Sequence, residues 1–478
     1  MSKSLTVLRA GTSGFRGTKD EVTPDHAFAA AVLYGEMLGA GKRVTVGHDN
    51  RETAAKLASA ACDGFRSEGL HVDHLGMVST GVFSTRTACL RPNHYAGGIL
   101  ITGSHMPPDR IGIIPIDDTA AYCTHNVTNR IEVGFSAFQS GVWGNARYEL
   151  SGSLYRVDNA TSLGVYLATL WDTLRDPELR EERFKVLLDA GNGTTGDPAR
   201  ILLEGLGCDV VVLNEEPQFI PDRPSEVTPE NCDVAVDRMR EGDYDLGACF
   251  DGDGDRVLFI APDGSTYEDD IIAAIFAYYE LEPVRGTDPV VVTPVTAGSL
   301  VSEVCKRFGG RVEYCRVGQP DTGRAIKACG AHVVFAYEAA ARKFCFPAQF
   351  TFYDGVYAVA RMLAIMARTG KSLQQLAADV AADFGTFFPA EGSIMLEDAR
   401  KADVVAKAYA AAGNAFREAE VIDIDGLRFN FTDSSWVLLR PSGTEPKVRY
   451  YAKARTSARA LALAKQARKL FENAMRSA

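Results

Sequence analysis

The chain has 478 residues, of which 46% are apolar, 24% charged and 9% aromatic. That is ordinary globular composition, and it excludes a disordered chain, a small disulfide scaffold and a collagen-like repeat. The formal net charge of −11 argues against a broad basic face for nucleic acid; a small anionic ligand needs only positive charge gathered locally.

In chain order, the opening stretch lacks the apolar run of a secretory signal, so a cytoplasmic chain is expected. The glycine-rich Gly11-Thr-Ser-Gly-Phe-Arg-Gly17 stands too close to the terminus to follow a long strand. Thr23-Pro24 reads as an N-cap with proline at the first helical position, opening a helix. Lys42–Val46 is a short β-rich run. Gly98–Ile101 is another, closed by Thr102-Gly-Ser-His105, and Lys185–Leu188 a third, closed by Asp189-Ala-Gly-Asn-Gly193. Asp209–Leu213 is β-branched, and Thr228-Pro229 predicts a second capped helix start. Leu246–Phe250 is apolar and runs into Asp251-Gly-Asp-Gly-Asp-Arg256. The apolar run Ile271–Tyr279 is far shorter than the ~20 residues that cross a bilayer, so no membrane contact is expected. Val290–Thr293 and Val333–Phe335 are further strand-like runs. Strands alternating with helices predict mixed or parallel sheets flanked by helices.

The alternation restarts near residues 155, 258 and 386, giving domains 1–155, 156–257, 258–385 and 386–478. The last reads as α+β: a helix over Arg400–Ala412, strands at Val421–Ile424, Leu427–Phe431, Trp436–Arg440 and Val448–Ala452, then a helix over Ser457–Met475. The ten cysteines show no CxxC and read as reduced, buried thiols of a cytosolic protein.

Some loops could carry chemistry. Asp251, Asp253 and Asp255 alternate with glycines that let a strand-end loop curl, and three hard oxygen ligands suit Mg²⁺. An EF-hand is excluded, because Arg256 and Pro262 stand where that loop needs glycine and glutamate. Ser104 beside His105 at a strand end offers a nucleophile, although a turn serine next to an incidental histidine would look the same. Arg440-Pro-Ser-Gly-Thr-Glu-Pro-Lys447 combines a guanidinium, two hydroxyls, a glycine and an ammonium, the parts of an oxyanion cradle. Gly191-Asn-Gly-Thr-Thr-Gly196 matches GxGxxG, with Glu215 at the end of the next β run. That keeps a NAD-dependent oxidoreductase as a rival reading.

Together and in this order, these loops resemble the α-D-phosphohexomutase family of phosphomannomutase, phosphoglucomutase and phosphoglucosamine mutase, over the whole length. The resemblance implies a four-domain α/β architecture around a central cleft: three related α/β domains with mixed sheets and a C-terminal α+β domain. Its domains would carry, in order, the phosphoserine, the metal loop, sugar recognition and phosphate binding. It also accounts for the GxGxxG run as the start of the second domain. The implied activity is isomerase chemistry: Mg²⁺-dependent intramolecular phosphoryl transfer between the 1- and 6-positions of a sugar phosphate, through a phosphoserine and a bisphosphate. One Mg²⁺ per chain and a priming sugar bisphosphate are implied, with a monomer or homodimer. Ser104 would carry the phosphoryl group, helped by His105 and Arg16. Asp251, Asp253, Asp255 and Ser104 itself would bind the metal. Arg440, Ser442, Gly443, Thr444 and Lys447 would hold the non-reacting phosphate, and Arg256, Glu338, Arg342 and Lys343 would meet the substrate.

The chain departs from the family pattern in two places. After the serine, Met106 and Ile111 replace asparagines, and Ile114 replaces the lysine often assigned acid/base work. In the sugar loop, usually GGExSGH, only Glu338 survives; Ala340 lacks the hydroxyl and Arg342 replaces the histidine. Alternatives are therefore a phosphoglucosamine or phosphopentose mutase of the same mechanism, or a sugar-phosphate-binding relative without turnover.

Overall fold

The computed structural model describes residues 4–90, 94–174, 177–442 and 445–477. The chain packs as two units: Met1–Tyr267 with Ala341–Gln375, and Glu268–Ala340 with Leu376–Ala478.

The first unit holds two sheets. The larger has seven strands, in the order Ala10–Gly11, Gly14–Thr18, Arg110–Asp117, Gly97–Ile101, Arg43–His48, His71–Met77 and Leu154–Arg156. Arg43–His48 lies parallel to both of its neighbours, whereas Arg110–Asp117 is antiparallel to both of its own. Val44, Val46, Ile99 and Ile101 are fully buried, as continuous apolar runs between helix layers require. Helix Pro24–Leu38 opens with Thr23 and His26 in a reciprocal cap. Its alanines, Ala27 and Ala29–Ala31, join those of helix Ala54–Ser67 in one core, where small side chains let the two helices approach closely. The second sheet runs Val257–Ile260, Leu246–Phe250, Lys185–Asp189, Asp209–Leu213, and all five residues of Leu246–Phe250 are buried. Leu246–Phe250 is parallel to Lys185–Asp189, so the carboxyl ends of both strands open onto loops at one edge.

In the second unit, Arg311–Cys315, Val290–Pro294 and Val333–Glu338 pair in parallel. A five-stranded antiparallel sheet follows the order Phe388–Met395, Lys447–Ala454, Trp436–Pro441, Leu427–Asn430, Glu420–Asp423. Helices Asp398–Ala415 and Ser457–Ser477 share a core with this sheet. Arg428 is fully buried, its guanidinium 4.5 Å from the Tyr314 ring and 4.1 Å from the Trp436 ring, and it donates to the Val295 and Ala297 carbonyls, both at 2.6 Å. The rings and carbonyls stand in for a carboxylate.

Some elements differ from expectation. The helix expected at Thr228-Pro229 begins at Asp233, because Thr228 closes a local turn by accepting from the Asn231 amide. The expected loop around Gly14 is a strand, paired with Arg110–Asp117. That partner strand is hard to see in the sequence because Pro107, Pro108 and Asp109 precede it and Pro115 interrupts its apolar run. All ten cysteines are free thiols, eight of them buried. No helix of the described residues is long and apolar enough to cross a membrane.

His74 carries a pH dependence. Burial, and then the charges of His48 and Arg156, push it down from 6.5 to about 4. Its Nδ1 lies 3.5 Å from Arg156 Nη1, and its Nε2 is buried without a partner. The folded chain thus binds this proton less readily than the unfolded chain, so stability falls as pH drops from 6.5 towards 4. In thermal melts, His74→Asn should flatten that acid-side fall in Tm; an unchanged pH profile would refute it.

Candidate active site

Two strand ends in the first unit build the site. Gly97–Ile101 delivers Thr102, Gly103, Ser104 and His105; Leu246–Phe250 delivers Asp251 to Arg256. Ser104 is 1% exposed and has φ 47°, a left-handed conformation that costs a non-glycine residue roughly 1–3 kcal/mol. Its surroundings hold it there. The Ser104 amide donates to Thr102 Oγ1 at 2.8 Å, and Thr102 Oγ1 donates to Asp253 Oδ2 at 2.8 Å. Ser104 Oγ donates to Asp251 Oδ2 at 2.8 Å.

His105 completes the chain of hydrogen bonds. Arg256 Nη2 stands 3.4 Å from His105 Nε2, and His105 Nδ1 stands 3.4 Å from Ser104 Oγ. A guanidinium can only donate, so Nε2 accepts and Nδ1 carries the proton towards the serine. Burial, then Arg256, Arg16, Lys343 and Arg51, push His105 down to about 2, which keeps the imidazole neutral. Arg256 is anchored by Glu226 at 2.6 Å. Arg16, on strand Gly14–Thr18, keeps a buried Nε without a partner.

Asp251, Asp253 and Asp255 are fully buried and offer oxygens all within 4.8 Å of one another. Burial and the neighbouring carboxylates push Asp251 and Asp253 up. Asp253 Oδ1 and Asp255 Oδ1 are buried without hydrogen-bond partners. Hard, anionic, convergent and partly unpartnered oxygens fit Mg²⁺. The loop is pinned from three sides: Thr80, Thr194 and Gly355 donate their amides to the carbonyls of Asp253, Gly252 and Gly254, at 2.8, 3.0 and 2.9 Å. A second cluster, Asp189 with Cys232 and Cys249, is already charge-paired. Arg223 binds Asp189 and the Phe250 carbonyl, both at 2.7 Å, and so braces the strand end before Asp251.

The GxGxxG run serves this loop. A Cβ on Gly193 would sit 2.5 Å from the Gly252 carbonyl oxygen, so glycine is needed for backbone to meet backbone. Glu215 is bound to Arg200 at 2.6 Å. The amides of Asn192, Gly193 and Thr194 all bond protein carbonyls, which leaves none of these three to cradle a pyrophosphate.

Sequence reasoning missed Asp49 and Arg51. Asp49 accepts from the Gly103 amide at 2.7 Å. Arg51 donates to the carbonyls of Ser104 at 2.9 Å, Met106 at 2.5 Å and Arg110 at 2.9 Å, and also to that of Pro107. A Cβ on Gly103 would lie 1.9 Å from Arg51 Nε. The available signal was His48-Asp-Asn-Arg51, a polar stretch closing an apolar strand, but nothing in it names the loop that it grips.

The remaining predicted residues divide. Lys343, expected among the substrate contacts, is buried and its ammonium bonds Asp255. Arg342 has φ 55° and donates through Nε to the Val227 carbonyl at 2.5 Å. Ile114 is buried in the sheet, in register with Leu100. In the second unit, Glu338 ends its strand half-buried. There Arg440 is held by Asp425, through Nε at 3.0 Å and Nη2 at 2.9 Å. Ser442 is buried and accepts from the Glu445 amide at 3.2 Å, while Lys447 pairs with Glu445 at 2.8 Å. Gly443 and Thr444 lie outside the described residues.

Arg51 Nε also lies 3.4 Å from buried Asp49 Oδ2, so Arg51→Met would leave Asp49 without its counter-charge and free four carbonyls. Denaturant unfolding should show a loss of about 3–5 kcal/mol. Stability within 0.5 kcal/mol of the parent, well below that expectation, would contradict this role.

Comparison with known proteins agrees with the geometry. Four family models match in sequence: phosphoglucomutase/phosphomannomutase α/β/α domain I at residues 8–140, domain II at 165–264, domain III at 268–384 and the C-terminal domain at 394–470. A protein of Methanopyrus kandleri named probable phosphoglucosamine mutase is 29% identical over 94% of both chains. The phosphopentomutase of Thermococcus kodakarensis is 30% identical over 94% of both. The crystal structure of a phosphoglucomutase/phosphomannomutase family protein from Burkholderia thailandensis matches with a TM-score of 0.83 and 25% identity, covering 99% of this chain and 98% of that one. The chain therefore belongs to the phosphoglucomutase/phosphomannomutase family, whose named mutases are isomerases.

Proposed function

We propose that this chain is a Mg²⁺-dependent sugar-phosphate mutase in which Ser104 carries the phosphoryl group. The observation that carries the reading is the hydrogen bond from Ser104 Oγ to Asp251, which ties a strained, buried serine to the acidic loop. Phosphoserine would pass its phosphoryl group to a hydroxyl of a sugar monophosphate: the Ser104 Oγ–P bond breaks as the sugar O–P bond forms. The resulting bisphosphate would return its other phosphoryl group to Ser104 after turning over.

Asp251, Asp253 and Asp255 would hold one Mg²⁺, with an oxygen of phosphorylated Ser104 completing the set. When bound, the ion offsets the charge of the transferring phosphoryl group. Arg16 and Arg256 would add positive charge beside it, and neutral His105 would orient Ser104 Oγ. Arg440, Ser442, Gly443, Thr444 and Lys447 would hold the other phosphate and position the sugar. Glu338 and Arg342 remain the candidates for sugar recognition. With Ile114 buried in apolar surroundings, the family's usual lysine has no counterpart at that position, so another group must move the hydroxyl proton.

Interconversion of hexose 1- and 6-phosphates is the leading assignment. The names of the Methanopyrus and Thermococcus relatives favour a glucosamine or pentose phosphate as the second reading. A coupled assay over glucose, mannose, glucosamine and pentose 1-phosphates, primed by the matching bisphosphates, decides between them. At least one substrate should turn over, and Asp253→Asn should lower kcat by about 10²-fold or more. Binding without turnover on every substrate would leave a sugar-phosphate-binding relative; full activity in excess EDTA would remove the metal from the account.

A further inference from the structure

The acidic loop has a cation of its own. Lys343 lies on the short strand Lys343–Cys345 and is 5% exposed. Its ammonium bonds Asp255 Oδ2 and stands 5.7 Å from the centre of the Tyr353 ring. The other two carboxylates accept from neutral hydroxyls, Asp251 from Ser104 and Asp253 from Thr102. The Arg256 guanidinium comes no nearer to Asp251 than 3.8 Å and is bonded to Glu226. Lys343 thus makes the short ionic contact to the triad, on one oxygen of Asp255. It leaves the other, Oδ1, buried and without a hydrogen-bond partner.

We propose that Lys343 is an internal counter-ion of the acidic triad: it fixes Asp255 through Oδ2, and its positive charge weakens the triad's hold on a divalent cation. The inference rests on the reading of the triad as a Mg²⁺ site. Two effects oppose each other. Fixing Asp255 pre-organises one ligand, which favours the ion. The ammonium's positive charge in a water-poor site repels the ion with little screening, and that repulsion is the larger effect. The chain would therefore keep its site assembled when metal is scarce and exchange the ion readily.

Calorimetric titration of MgCl₂ into metal-stripped full-length protein tests this. Lys343→Met and Lys343→Gln should bind Mg²⁺ about tenfold or more tightly than the parent. Lys343→Arg should stay near the parent, and Asp253→Asn should lose binding. The Met and Gln variants should also melt lower without metal and gain more in Tm on adding Mg²⁺. A variant that folds only with Mg²⁺ supports the proposal; one that stays unfolded in excess Mg²⁺ counts against it. Equal or weaker binding by folded Lys343→Met, with Asp253→Asn silent, overturns the counter-ion role alone. Equal binding by the parent and Asp253→Asn overturns the metal site itself.

Discussion

Three carboxylates buried in one six-residue loop repel one another and pay for lost hydration, so positive charge must come to them. Much of the first unit answers that demand. Arg256 and Lys343 bring charge to the loop itself, and Ser104 and Thr102 supply hydroxyl protons. Three amides from separate segments fix its carbonyls. The fold thus concentrates negative charge in one buried loop beside Ser104.

The serine loop depends on a different device. Arg51 and Asp49 hold the turn on both sides of Ser104, adding to the bonds that Thr102 and Asp251 make to the serine itself. A planar fork with several donors suits the task, since it can meet several carbonyls at once. His105 then gains its role from position: crowded by cations and largely buried, it stays neutral and offers one proton to the serine. The same crowding makes it a poor general base.

Much of the site was legible because its chemistry is local. Asp251, Asp253 and Asp255 alternate with glycines in one short motif, so spacing alone marks them, whereas Ser104 with His105 stands out only through the family resemblance. The parallel runs Lys185–Leu188 and Leu246–Phe250 were legible for a related reason: strands buried on both faces read as unbroken apolar stretches. Contacts distant in sequence were not legible. Arg51 grips a loop over fifty residues away, and Lys343 meets a carboxylate 88 residues before it. Neither pairing leaves a periodic trace. Lys343, a charged residue beside an expected sugar loop, reads as a ligand contact, and nothing in the sequence shows that its ammonium meets Asp255. Strands such as Arg110–Asp117 and Phe388–Met395 were obscured by prolines and charges that the sheet tolerates near its strand ends and edges.

The central claim is that Ser104 is where phosphate resides. Peptide mapping by mass spectrometry, after incubation with a sugar 1,6-bisphosphate and Mg²⁺, tests it most directly. The account predicts one phosphoryl group per chain, mapped to Ser104 and absent from Ser104→Ala. Phosphate on a different residue, or equal labelling of Ser104→Ala, would contradict it.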